Sequence, residues 1–345
     1  MKLAVVLFNL GGPDSLSSVE PFLRNLFSDP AIIPLPSWLR RPLAAWIARR
    51  RAPVARDIYR RIGGRSPLLD ETRAQAANLE LALRQRGTEA RVFIAMRAWH
   101  PRSDEAARLV AEYAPQITVL LPLYPQFSTA TSASSLNDWR QSGRGVGLSA
   151  DERRVCCYPW DTGFVSAIVD ELRNVLARCR GDISYRVLFS AHGLPKRMVA
   201  RGDPYQWQVE RTAEAVLRHL SMEGLDWKVC YQSRVGPQKW LEPTTESELR
   251  RAGAERRGVV VVPLSFVSEH SETLVELDMD YAKLAGDCGV PHYLRVGTVR
   301  TNQMFIDGLA GLVLRAAGSA DPVTCGSGRI CPSRFVKCGM TEVAA

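Results

Sequence analysis

Short apolar runs alternate with helix-period segments along almost the whole chain, and this alternation restricts the fold more than any other sequence feature. The runs predicted to be strands are Leu3–Phe8, Val92–Met96, Ile117–Leu121, Arg186–Phe189, Lys228–Tyr231, Val259–Leu264 and Tyr293–Val296. The predicted helices between them include Leu68–Gln85, Asp104–Tyr113, Gly163–Cys179, Pro204–Leu220 and Thr301–Ala316. Such alternation predicts an α/β fold with parallel sheets covered on both faces. Ligands of such folds bind beyond the carboxyl ends of the strands.

The length of the chain predicts two domains, since 345 residues correspond to two at about 150 residues each. The halves also echo each other, because Leu7–Pro13 resembles Leu188–Pro195 and Leu120–Leu123 resembles Val261–Leu264. Two similar α/β domains facing across a cleft would explain this, although short apolar-Gly-Pro matches also arise by chance. We therefore predict two doubly wound domains, residues 1–155 and 156–318, each with a parallel four-stranded sheet, related by pseudo-two-fold similarity and followed by a Cys-rich extension, residues 319–345.

The composition excludes several classes of protein. With 46% hydrophobic and 23% charged residues, the chain is neither disordered nor collagenous. Its apolar runs, such as Val259–Phe266 with Pro263 inside it, are far shorter than the about 20 residues that a membrane-spanning helix needs. The apolar N-terminus continues directly into Asn9–Pro13 without a small-residue cleavage site, which predicts a buried strand rather than a signal peptide. We expect a cytoplasmic protein.

The positive charge of the chain is concentrated near the N-terminus. The formal net charge is +9, and the stretch Arg40–Arg61 contains eight arginines and one acid, Asp57, together with Trp46. An amphipathic stretch rich in Trp and Arg suits a membrane surface or an anionic amphiphilic ligand. A solvated helix face is the alternative. No recognised nucleic-acid-binding module accompanies the stretch, so no specific nucleic-acid partner is expected.

Two segments of the second half carry candidate chemistry. His192 follows a predicted strand inside a Gly/Pro loop, and Glu272, Glu276 and Asp280 fall at i, i+4 and i+8 of a predicted helix. Three carboxylates on one face repel one another unless they bind a cation. With His270 nearby, a divalent metal held by oxygen and imidazole ligands is expected; a solvated acidic face is the alternative.

The cysteines divide into two groups. Cys325, Cys331 and Cys338 lie in the last 21 residues among Gly, Pro, Ser and Arg, whereas the other five are scattered. A tail too short and too polar to form a core needs a metal or cluster to order it in a reducing compartment. The alternative is an unstructured tail with three idle thiols.

Seven motifs, in order along the chain, resemble the ferrochelatase family, whose members insert ferrous iron into a porphyrin. They are Asn9–Pro13, Tyr59–Pro67, Tyr124–Ser128, Phe189–Pro195, Gly202–Tyr205, Tyr231–Pro237 and Ser268–Leu274. The resemblance covers residues 7 to about 310. It implies two Rossmann-like domains with a porphyrin cleft between them, and porphyrin and Fe²⁺ as substrates.

The resemblance also implies roles for individual residues. His192 and Glu272 match the family's catalytic, metal-holding pair. The matches to the metal or proton path are Glu269, His270, Glu276 and Asp280, and the matches to porphyrin-binding positions are Leu10, Arg51, Tyr59, Ser66, Gln232, Ser233 and Trp240. The segment at about 30–51 matches a lip that touches porphyrin and membrane, which implies peripheral association with the inner-membrane surface.

Some ferrochelatases hold a [2Fe–2S] cluster through three C-terminal cysteines and one upstream cysteine. Cys325, Cys331 and Cys338 fit that arrangement, with Cys156 or Cys157 as the fourth ligand. The choice between these two stays open, because adjacent residues on a strand point to opposite faces.

The leading hypothesis is therefore insertion of Fe²⁺ into protoporphyrin IX, the last step of heme biosynthesis, with release of two protons. A coproporphyrin III ferrochelatase is the alternative within the same class. A tetrapyrrole or metal carrier without turnover is the alternative from another class. The oligomeric state stays open, with a homodimer among the options.

Overall fold

A computed structural model describes residues 2–148, 151–234, 236, 238–325 and 328–340. Val235 and Pro237 of the motif Tyr231–Pro237, and residues 326–327 and 341–345 of the Cys-rich extension, lie outside the described residues. The chain divides into two compact units. The first comprises residues 1–157, 309–331 and 338–345, and the second comprises residues 158–308 and 332–337.

The first unit is built on a parallel sheet of five strands in the order β2-β1-β3-β4-β9. Numbered in chain order, these strands are β1 (Leu3–Asn9), β2 (Ala90–Met96), β3 (Ile117–Pro122), β4 (Asp151–Val155) and β9 (Val323–Thr324). The helices are α1 (Val19–Phe27), α2 (Ser37–Arg60), α3 (Leu68–Gln85), α4 (Ser103–Tyr113) and α5 (Ser132–Gly143). All seven residues of β1 are buried, as expected for a central strand covered on both faces.

The second unit has a parallel sheet of four strands in the order β6-β5-β7-β8. They are β5 (Tyr185–His192), β6 (Asp226–Gln232), β7 (Gly258–Pro263) and β8 (Tyr293–Arg295). The helices are α6 (Thr162–Leu176), α7 (Lys196–Ala200), α8 (Tyr205–Leu220), α9 (Thr245–Ala254), a π-helix (Glu272–Tyr281), α10 (Ala282–Asp287) and α11 (Gln303–Ala317), whose last nine residues belong to the first unit. The predicted α/β fold with two parallel-sheet domains is confirmed.

The four-stranded sheet predicted for the first domain is wrong by one strand. The Cys-rich extension supplies β9, which pairs with β4 through Arg154 opposite Val323. β4 was absent from the list of predicted strands because it is largely charged, although Cys156 and Cys157 were placed on a strand, and β9 was not predicted because it has only two residues. The first four strands of the first sheet, β2-β1-β3-β4, have the same relative order as β6-β5-β7-β8 in the second unit.

Residues 332–337 of the extension pack within the second unit. The Phe335 and Trp207 rings have their centroids 5.6 Å apart, and the Lys337 N–H donates to the Gly202 carbonyl at 3.1 Å. Gly202 has φ +95°, and a Cβ there would lie 2.7 Å from the Val336 side chain. The segment between the last two cysteines of the extension, Cys331 and Cys338, is therefore held by packing within the second unit. Among the described residues, no helix has the length and apolarity required to cross a membrane.

Candidate functional site

The carboxyl ends of β5 and β6 place His192 beside Gln232, the last residues of the two strands. The backbone of His192 is fixed on both sides. Its N–H donates to Ser265 Oγ at 3.0 Å, and its carbonyl accepts from the Tyr205 hydroxyl at 3.0 Å. Tyr205 Oη also lies 3.1 Å from Ser265 Oγ. These hydrogen bonds fix the backbone from which the half-buried imidazole of His192 projects at the carboxyl end of the sheet.

One carboxylate joins two imidazoles at this edge. Glu272 Oε2 lies 3.5 Å from His192 Nδ1 and 3.0 Å from His270 Nε2. The other ring nitrogen of His270, Nδ1, lies 3.2 Å from the Ser268 carbonyl. Phe266 packs against both rings, with centroids 4.5 Å from His270 and 6.2 Å from His192. The chain thus presents a His–Glu–His group backed by an aromatic side chain.

The charges of this group stabilise one another. Burial lowers the pKa of His192, but the charge of Glu272 and the hydrogen bond to it outweigh burial, so that this pKa is raised above its ordinary value. Burial raises the pKa of Glu272, and the charges and hydrogen bonds of His192 and His270 outweigh it, so that this pKa is lowered. The geometry therefore favours an ionised Glu272 carboxylate beside a His192 imidazole that keeps its proton more readily than an ordinary histidine does.

Glu276 lies next to this group and is held by several donors. Its Oε1 accepts from the Ser233 N–H and the Tyr281 hydroxyl, both at 2.9 Å, and its Oε2 accepts from the Ser233 hydroxyl and from Gln232 Nε2. Ser233 adopts φ +62°. Burial and the charge of Glu272 raise the pKa of Glu276, so this carboxyl takes up a proton more readily than an ordinary glutamate.

The other two predicted path residues lie in different surroundings. Glu269 is buried and accepts from Arg295 Nη1 at 2.7 Å and from the Thr298 N–H at 3.0 Å. Burial raises the pKa of Glu269, but the charge of Arg295 outweighs burial, so that this pKa is lowered. Asp280 is exposed near the end of the π-helix. Of the four predicted path residues, the structure brings His270 and Glu276 together with Glu272.

The carboxylate row was predicted at the i, i+4 and i+8 positions of an ordinary helix, and the helix type is different. The segment Glu272–Tyr281 is a π-helix, whose i→i+5 hydrogen bonds change the angular spacing of its side chains. Helical insertions of this type are frequent at functional sites. The apolar and acidic pattern indicated a helix here and could not distinguish the two helix types.

In the first unit, two motifs distant in sequence meet. A Cβ on Gly12 would lie 2.4 Å from Ser66 Oγ, so only glycine fits there, and the Ser66 N–H donates to the Pro13 carbonyl at 2.8 Å. Tyr59 belongs to a buried cluster against which Leu10 packs. The predicted porphyrin-binding residues Leu10, Tyr59 and Ser66 are thus close to the end of β1.

Two other predicted porphyrin-binding residues are placed differently. Arg51 is exposed on α2. Trp240 is partly buried in the second unit, where its ring lies 3.4 Å from the position of a Cβ added to Gly193. Its Nε1 is buried and has no hydrogen-bond partner among the described residues, which leaves a donor for a bound group.

Five thiols converge in the first unit. The Sγ atoms of Cys156, Cys157 and Cys325 lie within 4.8 Å of one another, and the pair Cys157 and Cys325 is 3.7 Å apart. Cys156 also contacts Cys338, and Cys157 also contacts Cys331. All are buried except Cys325, which is partly buried. Adjacent Cys156 and Cys157 share one site because β4 ends at Val155, so the alternation expected of a strand does not apply.

The donor set of this site fits a thiolate-bound metal or cluster. Hydrogen bonds from Cys156 and Cys157 lower the pKa of Cys325 to about 5, and hydrogen bonds from Cys156 and Cys331 lower the pKa of Cys338 to about 3. Thiolates are the ligands of zinc and iron–sulfur clusters. Four buried thiols and one partly buried thiol gathered at one place suit such a site better than they suit an unstructured tail with idle cysteines.

Sequence reasoning missed the residues that hold His192 in place. Tyr205 falls in a quoted motif, yet its hydroxyl bond to His192 joins residues 13 apart and has no sequence signal. Ser265 and Phe266 follow a predicted strand, which is the one feature that could have indicated them.

The fold is shared with a solved chelatase. The sirohydrochlorin chelatase of Bacillus subtilis subspecies spizizenii aligns with 92% of this chain and 96% of its own, at a TM-score of 0.53 and 12% identity. At that identity the likeness concerns the fold alone, and it places the chain among proteins of chelatase architecture.

Sequence relatives define the family. A family model described as Ferrochelatase matches residues 2–317. Ferrochelatase of Caulobacter vibrioides is 51% identical over 347 residues, covering 100% of this chain and 99% of that protein. Ferrochelatase of Pelagibacter ubique is 44% identical over 341 residues, covering 98% of each. The chain belongs to the ferrochelatase family, and the predicted enzyme class, a lyase-type metal chelatase, is confirmed.

Proposed function

We propose that this enzyme inserts Fe²⁺ into protoporphyrin IX and releases two protons. The observation that carries the proposal is the His192–Glu272–His270 group at the carboxyl ends of β5 and β6. It combines imidazole nitrogen and carboxylate oxygen, a donor set that suits a borderline divalent metal. It also contains groups that can accept the pyrrole protons.

In the proposed mechanism, His192 accepts a pyrrole proton as general base. Glu272 stabilises the imidazolium that forms, because its carboxylate lies 3.5 Å from His192 Nδ1. Glu276, with its raised pKa, is suited to receive a proton in turn. The family resemblance assigns porphyrin contacts to Leu10, Arg51, Tyr59 and Ser66 of the first unit and to Gln232, Ser233 and Trp240 of the second. Contacts remote from the reacting nitrogens would supply binding free energy that bends the macrocycle and tilts the pyrrole nitrogens.

The test is a steady-state assay of Fe²⁺ insertion into protoporphyrin IX, with coproporphyrin III in parallel. We expect turnover of protoporphyrin IX with the higher kcat/KM. A preference for coproporphyrin III would replace the proposed substrate by the tetrapropionate alternative. Tight porphyrin binding with no metal insertion for either compound would contradict the proposal and support the carrier hypothesis.

We further propose that the five-thiol site holds a [2Fe–2S] cluster. Cys325, Cys331 and Cys338 would hold it together with Cys156 or Cys157, and the cluster would supply an electron-transfer group and a crosslink of the extension. The convergence of buried thiols around a pair 3.7 Å apart supports this. Iron and acid-labile sulfide at about two each per chain in anaerobically purified protein are expected, and a colourless, iron-free preparation would contradict the cluster.

We also propose peripheral binding to an anionic membrane through α2. Trp38 and Trp46 are 71% and 56% exposed, whereas Ala44, Ala48 and Ala52 on another side of the helix are buried. Exposed Trp next to the arginines of this helix is the pattern of an interfacial helix, with aromatic rings in the headgroup region and cations on lipid phosphates.

Replacing both tryptophans tests the membrane proposal. We expect Trp38→Ser/Trp46→Ser to lower partitioning onto phosphatidylglycerol-containing vesicles at least about tenfold, since losing one large apolar anchor costs about 1.5–3 kcal/mol. The matched control is Leu81→Ser/Leu109→Ser, which removes two side chains about half exposed on α3 and α4. Equal vesicle binding by both double variants in a sedimentation assay would count against α2 as the membrane surface.

A further inference from the structure

The five-thiol site contains one more ligand than a [2Fe–2S] cluster takes. We propose that Cys156 and Cys157 are interchangeable ligands of this site, so that the site always keeps a spare thiol. This inference rests on the cluster proposed above and deepens it by assigning the upstream ligand.

The two adjacent cysteines have equivalent partners. Each contacts Cys325, and each contacts one further tail cysteine: Cys156 touches Cys338, and Cys157 touches Cys331. Cys338 and Cys331 also contact each other. The contacts of the five thiols therefore form a closed ring. In this ring each upstream cysteine, Cys156 or Cys157, contacts Cys325 and one further tail cysteine.

The backbone explains why both thiols reach the same place. The Cys156 N–H makes the last ladder hydrogen bond, to the Thr324 carbonyl at 2.8 Å, and this bond brings the following tail residue, Cys325, beside the pair. Cys157 lies beyond the ladder. Its side chain is thus released from the strand alternation that would point it away from Cys156.

The packing around the pair keeps a non-ligating thiol in reach. Cys156 is 2% exposed and Cys157 is 1% exposed, so the thiol that is not bound stays enclosed with the others. Space on the side of Cys156 depends on Gly339, because a Cβ there would lie 3.0 Å from Cys156 Sγ and 2.5 Å from the Phe127 ring. A residue larger than glycine at position 339 would therefore crowd the Cys156 thiol.

Exchange between the two cysteines needs no other reactant. One of the two cysteines would serve as the thiolate ligand while the other keeps its proton, and in an exchange that proton would pass from the incoming thiol to the departing thiolate. No electron is gained or lost. Loss or modification of one upstream thiol would consequently leave four ligands in place.

Anaerobic purification of single and double variants tests this inference. The measurements are iron and sulfide content, visible absorption, and EPR of the dithionite-reduced protein, with circular dichroism to report folding. We expect Cys156→Ser and Cys157→Ser each to retain the wild-type iron and sulfide content, and Cys156→Ser/Cys157→Ser to lose the cluster, as Cys325→Ser does. The control Cys288→Ser, at a partly exposed cysteine outside the site, should match the wild type.

The outcomes separate this inference from the cluster itself. If one single variant loses iron and sulfide as completely as the double variant, the ligand set is fixed and the inference is overturned while the cluster stands. Loss in both single variants overturns it as well, and so does a cluster that survives in the folded double variant. Wild-type protein without iron and sulfide overturns the proposed cluster and this inference together.

Discussion

Glu272→Gln is expected to lower kcat for Fe²⁺ insertion by about 10²–10⁴-fold, the usual contribution of a positioned acid–base group, while the Kd for porphyrin changes little. Glutamine keeps the shape of the side chain but removes the charge that lies 3.0 Å from His270 Nε2 and 3.5 Å from His192 Nδ1. A neutral amide neither stabilises the imidazolium of His192 nor binds Fe²⁺ as a carboxylate does. Steady-state insertion assays and porphyrin fluorescence quenching measure the two quantities separately.

The same substitution has an electrostatic signature that does not depend on turnover. Because the charge of Glu272 raises the pKa of His192, Glu272→Gln should lower that pKa, and an NMR titration of the imidazole would report it. His192→Ala should abolish the titrating signal and lower kcat as well. Wild-type turnover in His192→Ala would contradict its role as base, and an unchanged His192 pKa in Glu272→Gln would contradict the pairing.

Most of the fold followed from apolar periodicity. The α3 helix was predicted with its observed bounds, Leu68–Gln85, because its apolar positions repeat at helical spacing and Pro67 precedes it. The central strands were found because both of their faces are buried. β4 and β9 were absent from the list of predicted strands, since a largely charged strand and a two-residue edge strand carry too little apolar pattern to be detected.

The candidate site was predictable as residue types and not as geometry. Motif resemblance indicated His192, His270 and Glu272. The contact of both imidazoles with the Glu272 carboxylate depends on the loop after β7 and on a π-helix. The cysteines show the same limit. Strand alternation predicted that only one of Cys156 and Cys157 faces the site, because neighbouring side chains on a strand point to opposite faces. The end of β4 at Val155 removes that constraint.

Arg295→Met is expected to destabilise the protein by about 3–5 kcal/mol, the usual cost of leaving one partner of a buried ion pair uncompensated. Arg295 donates to Glu269 at 2.7 Å, and the two side chains are only 12% and 11% exposed. It also donates from Nε to Asp278 Oδ1 at 2.7 Å, but Asp278 is exposed enough to be solvated. Methionine fills a similar volume, so the loss reports mainly the buried charge of Glu269. Urea unfolding followed by circular dichroism measures it.

The pH dependence of this loss identifies Glu269 as its source. In the wild type the pKa of Glu269 is lowered, so its stabilising contribution is present above the ordinary glutamate pKa of about 4.3 and is lost as the pH falls below it. Without Arg295, burial raises the pKa of Glu269, and protonation relieves the variant at a higher pH. The difference in free energy of unfolding should therefore shrink between pH 7 and about pH 5, and Glu269→Gln/Arg295→Met should recover part of it at pH 7.

The control Lys283→Met removes an exposed partner of Asp287 and should cost less than about 0.5 kcal/mol. A loss in Arg295→Met that equals this control, or that does not vary with pH, would contradict a buried pair and leave Glu269 free to act on the metal path.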